Sequence, residues 1–194
     1  MASLVLSGDT SGSITVSAPA VSGSNTQTLA AVTGTLAPIV SGTSVTASGS
    51  SVDFTNIPSW VKRITVMLVG VSTAAAGTVR IRIGPSSGLV TTGYAGGAMS
   101  NTTAPANGAV NLGASPEGIG GFTTTDGTTL VYGSFVATNV TGNTWVASGM
   151  LYRLNDSIAV YSNGSIALAG VLDRISVVAT TSTFDAGTIN ILYE

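Results

Sequence analysis

The feature that most constrains this chain is a hydrophobic period of two, repeated along most of its length. In residues 61–70, Ile64, Val66 and Leu68 alternate with Arg63 and Thr65; in 78–84, Val79, Ile81 and Ile83 alternate with Arg80 and Arg82. Near the end, Ile175 and Val177 alternate with Arg174 and Ser176, and Ile189, Ile191 and Tyr193 alternate with Asn190 and Leu192. Successive side chains of a strand point to opposite faces, so each run reads as a strand that buries one face and wets the other. The residues 158–162, Asn163-Gly164 and 165–169 read as a hairpin, because Asn-Gly between alternating runs suits a type I′ turn with positive φ at both central positions. Further strands are expected at 129–138 and 144–154. No stretch shows a capped 3.6-residue period, and no heptads offer a coiled-coil shaft. The expected fold is all-β: a two-sheet antiparallel sandwich of about eight strands, a jelly roll, with an extended N-terminal arm.

Composition sharpens this reading. The chain has 194 residues, 44% hydrophobic, 7% charged, with 25 glycines and a net charge of −2. Globular domains average about 25% charged residues. A membrane-spanning helix needs about 18 consecutive apolar residues, and the longest apolar run, 64–71, is broken by Thr65 and Gly70. The recurring Val, Ile and Thr argue against disorder. What remains is a protein solvated by Ser, Thr, Asn and Gly, a surface suited to a large assembly. Six basic residues, Lys62, Arg63, Arg80, Arg82, Arg153 and Arg174, make no phosphate-tracking stripe, so neither nucleic acid nor membrane is an expected partner. The start of the chain shows no basic segment leading into a long apolar one, so no signal peptide is expected.

Two regions differ from the alternating body, which spans 51–194. Residues 1–50 are rich in Ser, Gly, Thr and Ala, with short strand candidates at 4–7, 13–17 and 27–32. They hold too few large apolar groups for a core and read as an arm or small attachment segment. Residues 85–128 are rich in Gly, Pro and Asn and read as one or two long surface loops with at most a short strand. One internal echo, 62–66 against 173–177, suggests strands in equivalent places of two sheets.

The missing chemistry is informative. There is no histidine and no cysteine, which removes the usual nucleophilic triads, thiolate chemistry and disulfides. No phosphate-binding loop is present; Gly118-Ile-Gly120-Gly121 has no helix to follow it. Among the acids, Asp173 beside Arg174 and Asp185 before Ala-Gly read as ion pairs or turn formers, and Asp126-Gly127 and Asn155-Asp156 as turns. A glycosidase pair or a calcium site at Asp126 or Asp156 is a weaker reading of the same residues. The expectation is no enzyme, no cofactor and no metal. Arg80 and Arg82 read as a solvated or subunit-facing stripe. Trp145 reads as core, and Trp60 as core or interface. Tyr94, in the long loop, is either a sugar-stacking contact or a pin at a subunit interface.

Several segments resemble virion surface proteins of tailed bacteriophages. Residues 4–16 (Leu-Val-Leu-Ser-Gly-Asp-Thr-Ser-Gly-Ser-Ile-Thr-Val), Ala18-Pro-Ala20 and 25–29 are similar to an opening stretch of such proteins, with Ala30 where that pattern has proline. Residues 54–58, 60–66 and 92–94 look like the start of a β-rich module of phage fibre and capsid-surface proteins, and 144–148, 172–175 and 184–194 like its end. The resemblance covers most of the chain apart from 95–128. It implies a virion surface location, a homotrimer, and one of two functions. The first is a capsid decoration (cement) protein whose N-terminal arm lies on the major capsid protein. The alternative is a short tail-fibre or tip protein, joined to tail components and binding a host glycan or protein through 85–128. The interface candidates are Leu4, Val5, Leu6, Ile14, Val16, Trp60 and Tyr94. The phage assignment comes from the resemblance, not from composition or period.

Overall fold

Each of the four alternating runs forms a strand in the structure, a computed structural model that describes residues 3–7, 10–17, 38–101, 110–114 and 117–194. In chain order the strands are β1 Ser3–Ser7, β2 Ser13–Ser17, β3 Val40–Ser41, β4 Val45–Thr46, β5 Ser51–Phe54, β6 Arg63–Thr73, β7 Gly77–Pro85 and β8 Ala95–Asn101. They continue as β9 Val110–Ala114, β10 Gly120–Thr124, β11 Val131–Thr141, β12 Thr144–Arg153, β13 Ile158–Ala167, β14 Leu172–Ala179 and β15 Phe184–Tyr193. Among the described residues there is no helix. The strand expected at 27–32 lies outside the described residues.

The chain divides into two units, the first ending at Leu36 and the second running from Ala37 to Glu194. The first contains an antiparallel β1–β2 hairpin with Leu4 opposite Val16 and Leu6 opposite Ile14. The second contains two antiparallel sheets. The smaller has the order β10-β7-β14-β5; the larger runs β3-β15-β6-β11-β12-β13-β8-β9, with β4 also paired to β15. Residues 40–50, which composition groups with the arm, thus belong to the body: Val40 and Val45 sit opposite Tyr193 and Ile189 of β15.

The two sheets close on one core. Ile64, Val66 and Leu68 of β6, Phe135 of β11, Leu151 of β12 and Val160 of β13 face Val79, Ile81 and Ile83 of β7, Phe122 of β10 and Ile175 and Val177 of β14. All are 2% exposed or less. Each such side chain contributes about 1.5–3 kcal/mol of burial. The echoing runs fall on β6 and β14, one in each sheet, and each turns its apolar residues to this core. Trp145 is core, as expected.

Two sequence expectations are corrected. Asn163-Gly164 is not a turn. Strand β13 runs straight through it, with Asn163 opposite Ser148 and Gly164 opposite Ala147 on one side, and Gly97 and Gly96 on the other. Gly164 is required by close approach: a Cβ there would lie 2.5 Å from the Ile119 carbonyl oxygen, where the lead into β10 crosses the sheet. The turns are elsewhere, at Gly142-Asn143 between β11 and β12 and at 154–157 between β12 and β13. Residues 85–128 are likewise not mainly surface loop. They supply β8, β9 and β10, and Ile119 and Phe122 are fully buried. Glycine again lets backbone approach: a Cβ on Gly120 would fall 2.2 Å from the Phe135 ring.

Candidate interaction surfaces

The β1–β2 hairpin sorts its residues by face. Because directly opposed residues share a face, Leu6, Ile14 and Val16 lie together, while Val5 and Thr15 lie on the other side among serines. Leu6 is 54%, Ile14 69%, Val16 60% and Val5 53% exposed. The side chain of Leu4 lies outside the described residues. A lone two-stranded hairpin is marginal in water, so an apolar stripe on one has the character of a surface awaiting a neighbour.

On the body, Trp60 is 40% exposed and leans on Tyr193, with ring centroids 6.0 Å apart at 48°. Beside Tyr193 lies a groove of about 290 Å³ between the β15 edge and β5, lined by Val45, Phe54, Asn56, Ile57 and Ile191 among others. Asp53 is its charged member, and Asp53 also accepts hydrogen bonds from Ser51 and Ser176.

Tyr94 does not belong to a surface, which corrects the sequence reading. It is 5% exposed. Its hydroxyl accepts from Ile83 N at 3.0 Å and lies 3.0 Å from Ile83 O and 2.9 Å from Val90 O, both acceptors for its proton. It ties the 86–94 connection to β7 within the chain. Burial pushes its phenol above the ordinary value, opposed by the Ile83 hydrogen bond and by Arg82.

Arg80 and Arg82 are half-buried on β7 rather than an open stripe. Arg82 Nε donates to Glu117 O at 2.7 Å, which ties its side chain to the segment leading into β10, the neighbour of β7 in the small sheet. Burial pulls the Arg80 guanidinium below its ordinary value, Glu117 opposing and Arg82 adding to the shift. Arg80 Nε is buried without a hydrogen-bond partner among the described residues.

The described carboxylates are all engaged by neighbours. Arg153 and Asp156 pair across a β12–β13 turn, and Arg153 also donates to Thr123 O at 3.0 Å. Asp173 pairs with Arg174 at 2.8 Å, Glu194 with Arg63, and Asp185 accepts from Ser72. Asp126 Oδ1 accepts from Thr128 N, Thr128 Oγ1 and Thr129 Oγ1, the geometry of a turn. Those bonds lower its pKa; they hold the turn above the ordinary carboxylate range and weaken as pH falls through the depressed value. Among the described residues no three acids cluster to hold a metal ion. Asp9 lies outside them.

Sequence reasoning missed a row on the outer face of the large sheet. Met67, Ser134, Met150, Tyr161 and Met99 stand side by side on β6, β11, β12, β13 and β8. Strand pairing assembles them from five separate stretches, and only the outward apolar positions Val146, Met150 and Tyr152 of β12 hint at it locally. Searches against protein-family models, curated proteins and solved structures give no match to this chain.

Proposed function

We propose that this chain is a virion structural protein of a tailed phage, a homotrimeric capsid decoration protein that stabilises the exterior of the head. One observation carries the reading: an N-terminal hairpin with an exposed apolar face, in a unit separate from a charge-poor antiparallel sandwich. A sandwich with its own core needs no help to fold. A two-stranded hairpin with Leu6, Ile14 and Val16 uncovered gains most by adding its strands and apolar stripe to a neighbour. Repeated by symmetry over a shell, many weak contacts of this kind hold firmly through multivalency.

The jelly-roll form fits the same reading. With β3, β4, β12, β13 and β15 set aside, β5, β6, β7, β8, β9, β10, β11 and β14 visit the small and large sheets in the order small, large, small, large, large, small, large, small. That is the alternation of two nested Greek keys. The alternative, a receptor-binding tail fibre, loses its main contact with the burial of Tyr94 and of much of 118–124.

The test uses fluorescently labelled protein. Saturable binding to undecorated heads of the source phage is expected, lost on deleting residues 1–36 while β-sheet circular dichroism persists. The deletion stops at Leu36 because Val40 already pairs with β15. Binding to intact host cells, with none to heads, overturns the decoration reading in favour of the fibre.

A further inference from the structure

The charged residues of the body are sorted between its two outer surfaces. On the small sheet, Arg82, Ser176 and Asp53 form one outward row, and Arg80 lies in the next. On the large sheet, the outward positions of β6, β11, β12, β13 and β8 are uncharged except at one corner, where Arg63 pairs with Glu194. In place of charge stands the row Met67, Ser134, Met150, Tyr161 and Met99, flanked by Tyr152 and Val146. Met150 is 61%, Tyr161 41%, Met99 43%, Tyr152 41% and Val146 46% exposed. Loss of charge with enrichment in methionine and aromatics is the compositional mark of an interface centre.

We infer that copies of this chain associate through this outer face of the large sheet. Three properties point to a second copy as the occupant. The first is size: five strands about 4.8 Å apart, read over four cross-strand rows, give roughly 600 Å² of flat face. That is the size class of one side of a standard interface, about 800 Å². The second is relief. Gly97, Ala98, Met99, Tyr161 and Asn163 line a pit of about 250 Å³, and Met150 stands proud next to Tyr161. A surface that meets its own copy must carry both knob and hole, and an unbranched methionine adapts well to such a hole. The third is charge: an uncharged face selects against a charged partner, and this chain is itself 7% charged. A face that meets its own copy makes a two-fold contact, so this inference goes beyond the three-fold contact of the proposed homotrimer, and it does not depend on what the N-terminal hairpin binds.

The experiment is sedimentation equilibrium of the full chain across micromolar concentrations, with Met150→Arg as the test variant and Val171→Arg, exposed but off this face, as the control. The wild type and the control are expected at twice the chain mass, or at six times where the three-fold contact of the proposed homotrimer also forms. Met150→Arg is expected to weaken association more than about a hundredfold, since an unpaired charge would be buried, with circular dichroism unchanged. Should that variant fold poorly, Met150→Cys supplies the only thiol in the chain. Its maleimide reactivity should fall as concentration rises. A wild type that stays monomeric, or an oligomer whose mass Met150→Arg leaves intact, overturns the inference. So does an oligomer that survives Met150→Arg but is lost on deleting residues 1–36. Head binding is read separately, so failure here and failure of the decoration reading are distinguishable.

Discussion

The β1–β2 hairpin and the β12–β13 hairpin are built on the same local pattern and meet opposite fates. Both are antiparallel, both alternate the two faces of a strand residue by residue, and both keep an unbroken register. The β12–β13 pair turns Leu151, Val160 and Ile166 onto a second sheet, where they fall to between 0% and 8% exposure. The β1–β2 pair leaves Leu6, Ile14 and Val16 more than half exposed. Alternation therefore specifies a strand and its apolar face, but not whether the chain itself covers that face. Where it does, the residue is core; where it does not, the residue is a candidate contact.

The largest expected effect is at the covered side. Phe135 is fully buried, and Gly120 of the opposite sheet approaches its ring too closely for any side chain to intervene. Phe135→Ala should cost about 3–5 kcal/mol, because the rigid backbone at Gly120 cannot collapse into the cavity. Urea denaturation followed by tryptophan fluorescence would read this as a lowered midpoint. A loss below about 1 kcal/mol would mean that the two sheets are not in contact there, and the contrast between the hairpins would fail.

A smaller effect is expected where the body closes one of its own connections. Tyr94→Phe removes one hydroxyl and leaves the Ile83 amide without its partner. The expected cost is about 1–3 kcal/mol. Amide hydrogen exchange at Ile83 and Val90 should accelerate, since the tether between β7 and the 86–94 connection is lost.

How much of this was legible beforehand follows from the same contrast. The alternating runs of β6, β7, β14 and β15 were readable because strand pattern is local, and so was Trp145 as core. The strands β1 and β2 that carry Leu6, Ile14 and Val16 were readable for the same reason. Asn163-Gly164 was misread because its glycine answers to Ile119, which crosses it from 45 positions earlier in the chain. Tyr94 was misread because its partners on β7 and at Val90 determine its burial, and a glycine-rich setting resembles exposed loop. The Met150–Tyr161 row was invisible because strand register, not sequence proximity, builds it. Local chemistry reads strands; which strands face each other is a property of the whole sandwich.

The smallest expected effect lies on the uncovered side, and it tests the contrast most directly. Leu6→Ser exchanges an apolar for a polar group on a face that the hairpin leaves open. If this stripe contributes nothing to the body, the unfolding free energy read from urea denaturation should change by less than about 0.5 kcal/mol, the range of ordinary surface changes. If the proposed decoration role holds, the same substitution should weaken attachment to heads, because an apolar contact would be lost there. A shift comparable to that of Tyr94→Phe would mean the hairpin folds against its own chain in solution. The two hairpins would then differ in degree and not in kind, and the arm would be part of the core it was expected to leave alone.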